Sequence, residues 1–107
     1  MTTQTSAPPL PTSLEQFRAT LRAHWPRLRE KYRVRALWLF GSYVRGEQTP
    51  ASDLDVLADF DQTTTLFEFV ALENELSDLL GVKVDLVEKS GLKPALGRQV
   101  TKEMLAV

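Results

Sequence analysis

The chain has 107 residues, of which 43% are hydrophobic and 25% charged, with a net charge of −1, as expected for one soluble globular domain with a core of modest size. The absence of cysteine excludes disulfides and thiolate metal sites, and the single histidine, His24, excludes a multi-histidine zinc site and argues against a Ser-His dyad. No apolar run approaches the ~18–20 residues of a membrane span, and the N-terminus lacks the basic start and apolar stretch of a secretory signal, so the expected location is cytoplasmic, away from membranes.

Residues 1–11 are polar and carry Pro8, Pro9 and Pro11. They read as a disordered tail ahead of one domain over 12–107. Thr12 or Ser13 is suited to cap a helix, with Glu15 in its first turn. Leu14, Phe17, Leu21, Leu28 and Tyr32 then recur at helical spacing. Pro26 interrupts them, which predicts a break near His24 and Trp25 and a second short helix from Pro26 to about Tyr32. His24 reads as a helix-surface residue.

Residues 34–40 are nearly all apolar beyond Arg35 and read as a strand that Gly41 ends. Ser42 to about Gly46 reads as one helical turn, and 47–52 as a polar loop. A second strand is expected over 54–60. Thr63, Thr64 or Thr65 is placed to cap a helix over 66–80, with Gly81 as its C-terminal glycine. A third strand follows over 82–87, and Pro94 opens a last helix to about Leu105. This alternation predicts an α/β (α+β) fold, a small mixed sheet with helices packed on it.

Charge is unevenly placed. Seven Arg or Lys residues lie between Glu15 and Arg35, whereas 46–82 hold nine acids and no base. That is a basic solvated helix beside an acidic one, or a dipolar surface that steers a charged partner. The acidic middle would repel phosphate, so direct nucleic-acid binding is not expected. The 66–80 helix has a core stripe of Phe69, Leu72, Leu76 and Leu79 or Leu80, with Phe67, Val70 and Ala71 spilling to the sides. Broad burial is the simpler expectation and a docking patch the other. Trp38 is expected in the core, and Trp25 partly exposed.

The chemistry lies in the carboxylates. Side chains alternate along a strand, so Asp53 and Asp55 share one face while Leu54, Val56, Ala58 and Phe60 take the other. Their Cα atoms would stand about 6–7 Å apart, close enough to serve a pair of cations roughly 3.5–4 Å apart. Asp85 lies in the third strand, and if the two strands are neighbours the three carboxylates converge. Like charges at about 4 Å cost ~4 kcal/mol per pair at an effective dielectric near 20. A hard divalent cation such as Mg²⁺ relieves that repulsion. Upstream, Gly41 permits a sharp turn and close approach of a phosphate. Ser42 offers a hydroxyl, and Arg45, three residues on, shares its side of the turn. There is no Gly-Lys-Thr or Gly-Lys-Ser, so this is not a Walker A loop.

The run Leu39-Phe40-Gly41-Ser42-Tyr43-Val44-Arg45-Gly46, then Ser52-Asp53-Leu54-Asp55-Val56-Leu57, then Val84-Asp85-Leu86-Val87 resembles the DNA polymerase beta-type nucleotidyltransferase superfamily. It looks most like the minimal nucleotidyltransferase antitoxins that accompany HEPN toxins. The likeness covers roughly residues 13–107, and the Gly-Ser-x10-Asp-x-Asp spacing is satisfied without a gap. The resemblance implies that Gly41 and Ser42 hold the triphosphate of ATP. It implies that Asp53 and Asp55 bind two Mg²⁺ ions, and that Asp85 completes the catalytic-metal site and helps deprotonate the acceptor. Arg45 takes a phosphate or structural role. It further implies transfer of AMP to a tyrosine hydroxyl of a HEPN-domain ribonuclease toxin, with any oligomer formed through that toxin. The alternatives are an antitoxin that binds without catalysis and acts by occlusion, or a transferase for a small molecule or RNA.

Overall fold

The computed structural model describes residues 10–91 and 94–107. Most of the expected tail, residues 1–9, lies outside the described residues. Helix α1 (Leu10–Ala23) begins two residues before the expected cap at Thr12. It takes in Leu10 and Pro11, because a first-turn N–H has no partner in a helix and proline there loses nothing. Helix α2 (Trp25–Tyr32) carries Pro26 in its first turn and ends at Arg33, which adopts a left-handed conformation with φ 60°. Strand β1 (Val34–Phe40), the single-turn helix α3 (Ser42–Arg45) and strand β2 (Leu54–Phe60) follow where the sequence places them. Helix α4 (Leu66–Leu80) is closed by a capping box: Thr65 Oγ1 accepts from the Glu68 N–H, and the Glu68 carboxylate accepts from the Thr65 N–H.

Strand β3 (Val84–Glu88) starts two residues later than the hydrophobic run. Gly81, left-handed at φ 72°, ends α4, and Ser77 Oγ accepts from the Val84 N–H at 3.0 Å. Val82 and Lys83 are spent on that reversal. A 3₁₀ turn (Lys89–Gly91) precedes helix α5 (Pro94–Glu103). The last helix stops at Glu103, short of Leu105, and the chain adds a strand the sequence does not announce, β4 (Leu105–Ala106). Two residues are too few for any periodicity, and the pairing to β1 that makes them a strand is a tertiary event.

The sheet order is β3-β2-β1-β4. β2 runs parallel to β3, and β1 is antiparallel to both β2 and β4. One face of this sheet, with Leu37, Leu39, Leu54, Val56, Ala58, Val84 and Leu86, closes on Leu21, Leu28, Tyr32, Leu72 and Leu76 from α1, α2 and α4. Glu75 of α4 ties the helices together: it accepts from the Tyr32 hydroxyl at 2.6 Å and from Lys31 at 3.3 Å, and pairs with Arg27. No helix among the described residues is long and apolar enough to cross a membrane.

Two expectations are corrected. Trp38 is only half-buried, because it pairs with Leu57 on the sheet face opposite the helical core. There the Lys89 ammonium stands 5.1 Å from its ring centre. Helix α4 is not broadly buried: Leu66 is 78%, Phe67 85% and Val70 42% exposed, while Leu72 and Leu76 are fully buried. At 3.6 residues per turn the three exposed residues fall on the side away from Leu72 and Leu76.

Leu76→Ala should therefore destabilise the fold by about 2–5 kcal/mol in urea titrations. Phe67→Ser, on the outer face of the same helix, should shift stability by no more than about 0.5 kcal/mol.

Candidate active site

The three aspartates lie on the sheet face that turns away from the helical core. Leu54, Val56 and Ala58 are fully buried on the core side, and strand alternation then sends Asp53 and Asp55 to the other. The parallel ladder sets Asp55 directly opposite Asp85, so their Cα atoms are neighbours at about 4.8 Å. Asp53 stands just ahead of β2. It is delivered by a loop that folds on itself, with the Ser52 N–H donating to the Thr49 carbonyl at 2.9 Å and the Thr49 N–H to Ser52 Oγ at 2.8 Å. Beside it, the Leu54 N–H donates to the Lys83 carbonyl at 2.8 Å.

On its other side Asp55 pairs with Phe40 of β1, which brings the Gly41 turn against it. A Cβ on Gly41 would lie 1.9 Å from Asp55 Oδ2. Gly41 is buried and has φ 82°, a value that other residues adopt at a cost. The glycine is therefore required twice, by its own backbone and by the carboxylate beside it. The Gly41 carbonyl accepts from the Val44 and Arg45 N–H groups at 3.1 Å each, and the α3 turn is complete by Gly46 at φ 73°. The Ser42 hydroxyl makes no hydrogen bond among the described residues.

Arg45, expected in a phosphate or a structural role, is engaged with acids of the fold. Its guanidinium donates to Glu47 Oε1 at 2.9 Å and to Glu103 Oε2 at 2.7 Å. The same Glu103 oxygen accepts from the Gly41 N–H at 3.1 Å. Glu103, some sixty residues along the chain, is the member of this neighbourhood that sequence reasoning missed. It belongs to no spacing motif, and only the return of α5 to the sheet brings it here.

Burial pushes the Asp55 carboxyl up to about 6, and the charges of Asp85 and Asp53 push the same way, against the opposing pull of Arg45. Loss of hydration is the larger cause and the crowding of negative charge the second. Asp85 is exposed, and Asp53 leans toward Lys83, whose Nζ is 4.0 Å from its Oδ2. Among the described residues no three His, Cys, Asp or Glu side chains stand close enough to enclose a metal ion as they are arranged. The convergence lies in the backbone register and in the field on Asp55, not in a finished coordination shell. The donor set is all hard oxygen and carries excess negative charge, which fits Mg²⁺ or Mn²⁺. A hollow of about 510 Å³ lined in part by Arg22, Trp25 and Trp38 borders β1 elsewhere and includes none of these residues.

Residues 21–107 match the nucleotidyltransferase domain. The chain is 45% identical over 95 residues to the protein adenylyltransferase MntA of Thermococcus cleftensis, covering 89% of this chain and 96% of that one. Its fold is similar to a solved structure described as a candidate minimal nucleotidyltransferase, at 34% identity and a TM-score of 0.72, covering 96% of this chain and all of that one. It is also similar to a chain from a toxin–antitoxin crystal structure with AMP-PNP, at 26% identity and a TM-score of 0.64, covering 86% and 69%.

The raised Asp55 pKa has a definite sign. The folded chain holds this proton more tightly than the unfolded chain, so stability falls as pH rises from about 4 to about 6. Without divalent metal at pH 7.5, Asp55→Asn should melt above the wild type by on the order of 1 kcal/mol, the partly open position reducing the full shift. The gap should close toward pH 4. Added Mg²⁺ should raise the wild-type Tm at pH 7.5 and leave Asp55→Asn nearly unmoved, as differential scanning fluorimetry would show. Gly41→Ala should lose Mg²⁺-dependent stabilisation as well, since its methyl group occupies the place of the Asp55 carboxylate.

Proposed function

Because this chain belongs to the nucleotidyltransferase domain family, we propose that it is an antitoxin enzyme which transfers AMP from ATP to a tyrosine hydroxyl of a cognate HEPN-domain toxin and thereby neutralises it. The observation that carries this reading is the meeting of the Gly41-Ser42 turn with Asp55, and of Asp55 with Asp85, on one sheet face. The enzyme class rests on the family. The adenylyl donor and the protein acceptor are supported by the adenylyltransferase relative, and the toxin–antitoxin setting by the AMP-PNP complex. The HEPN identity of the partner rests on the motif resemblance.

In this reading residues 12–107 form one catalytic domain. Gly41 gives the triphosphate room at the backbone, and the Ser42 hydroxyl, free of other partners among the described residues, donates to a phosphate oxygen. Arg45 braces the turn through Glu47 and Glu103. Asp53 and Asp55 would hold the magnesium ions, and Asp85 would complete the site on the acceptor side. The acceptor oxygen attacks the α-phosphorus, the bond to the β-phosphate oxygen breaks, and pyrophosphate leaves. Asp85 helps draw the proton from the attacking hydroxyl. Magnesium bound there would supply charge stabilisation, to the attacking hydroxyl as it loses its proton and to the departing pyrophosphate. In this reading recognition of the acceptor falls to the surface of the partner.

The purified chain, given Mg²⁺, ATP labelled at the α-phosphate and its cognate HEPN-domain toxin, should label that toxin, and peptide mass spectrometry should place AMP on tyrosine. Asp53→Asn should abolish the label while complex formation persists. Protection of cells by Asp53→Asn at wild-type strength would instead mark occlusion as the mechanism, and efficient labelling of an RNA or aminoglycoside panel without the toxin would reassign the acceptor.

A further inference from the structure

Glu103 is the last residue of α5, and its side chain is only 16% exposed. One of its oxygens, Oε2, accepts from the Gly41 N–H at 3.1 Å and from Arg45 Nη1 at 2.7 Å. Gly41 immediately precedes α3, and Arg45 is the final residue of α3. A single carboxylate oxygen therefore pins both ends of the turn. Hydrogen bonds of this kind, with one or both partners ionised, are roughly twice as strong as neutral ones.

The residue is itself held in place. Beyond Met104, Leu105 and Ala106 pair with Leu39 and Trp38 of β1. The Ala106 carbonyl accepts from Arg18 Nε at 3.0 Å, and the Val107 N–H donates to the Leu37 carbonyl at 3.1 Å. The anchor thus joins the C-terminal segment to the sheet on one side and to the turn on the other. The Gly41 peptide cannot swing freely, because Asp55 Oδ2 fills the space where its side chain would be.

We propose that Glu103 is a positioning residue of the nucleotide turn: it fixes the Gly41 amide and Arg45 so that Ser42 and the backbone of the turn stand at a set distance from Asp55. This rests on reading that turn as the phosphate site. Arg45, committed to Glu47 and Glu103, acts as the strut of this arrangement and leaves phosphate contact to Ser42. The rival is a built-in anion that competes with the triphosphate for the same donors, and the two ideas predict opposite signs.

ATP binding in the presence of Mg²⁺ is to be measured by titration calorimetry on the full chain as wild type, Glu103→Ala and Glu103→Gln, with the melting temperature of each. The expected result is about tenfold weaker binding for Glu103→Ala. Glu103→Gln keeps an acceptor for the Gly41 amide but loses the charge toward Arg45, and should be weaker by only about threefold. Equal affinity in all three folded proteins overturns the proposal and leaves Glu103 a residue of the fold alone. Tighter binding by Glu103→Ala overturns it in favour of the competing anion. If Glu103→Ala does not fold, Glu103→Gln against wild type decides: weaker binding supports positioning, and unchanged or tighter binding refutes it. A wild type that does not bind ATP refutes the nucleotide reading itself, and this proposal with it, a result distinct from a wild type that binds while its variants are unaffected.

Discussion

The contact between Asp55 and the backbone of Gly41 is the constraint on which the rest of this site depends. A carboxylate can lie against a strand-end turn only if the turn residue has no side chain and only if two strands hold the pair in register. The antiparallel pairing of Phe40 with Asp55 supplies the first alignment, and the parallel pairing of Asp55 with Asp85 the second. Both registers are locked from the opposite face, where Leu54, Val56 and Ala58 are fully buried. A slip by one residue would put those side chains in water and the aspartates in the core, so hydrophobic burial enforces the geometry of the acids.

Charge is arranged to match. Much of the basic run in α1 to β1 is consumed within the fold: Arg18 pairs with Glu15, Arg27 and Lys31 with Glu75, and Arg35 with Asp59 and Asp61. At the site Lys83 stands toward Asp53 and Arg45 acts on Asp55, and Arg45 already serves Glu47 and Glu103. The negative charge of Asp85 and Asp53 adds to the burial of Asp55, and together, burial first, they hold its carboxyl well above its ordinary value. Such crowding is costly for the isolated chain, and strongly shifted groups of this kind gather at functional sites.

The outer side of α4 carries a different kind of information. Leu66 and Phe67 stand in water although the helix meets the sheet through Leu72 and Leu76. Apolar content alone cannot say how much of a helix is covered, because coverage depends on what packs on either side. The same reason places Trp38 on the far sheet face, half-covered under Lys89, when its strand composition reads as core.

The local order of elements up to α5 was legible in the chain by itself, as was the shared face of the first two candidate carboxylates. Pro26, Gly41, Thr65 and Gly81 punctuate it through backbone conformation, and Asp53 and Asp55 share a face because strand side chains alternate. The motif carried by Gly41, Ser42, Asp53, Asp55 and Asp85 named the family before any coordinate. Three things were decided only in the folded molecule: that β4 exists, that Asp85 lies opposite Asp55, and that Glu103 braces the Gly41 turn. Each joins residues far apart in sequence, and no local propensity specifies which distant partner a strand edge or a carboxylate will meet. That choice is made by the core, which settles the register once Leu54, Val56, Val84 and Leu86 are buried together.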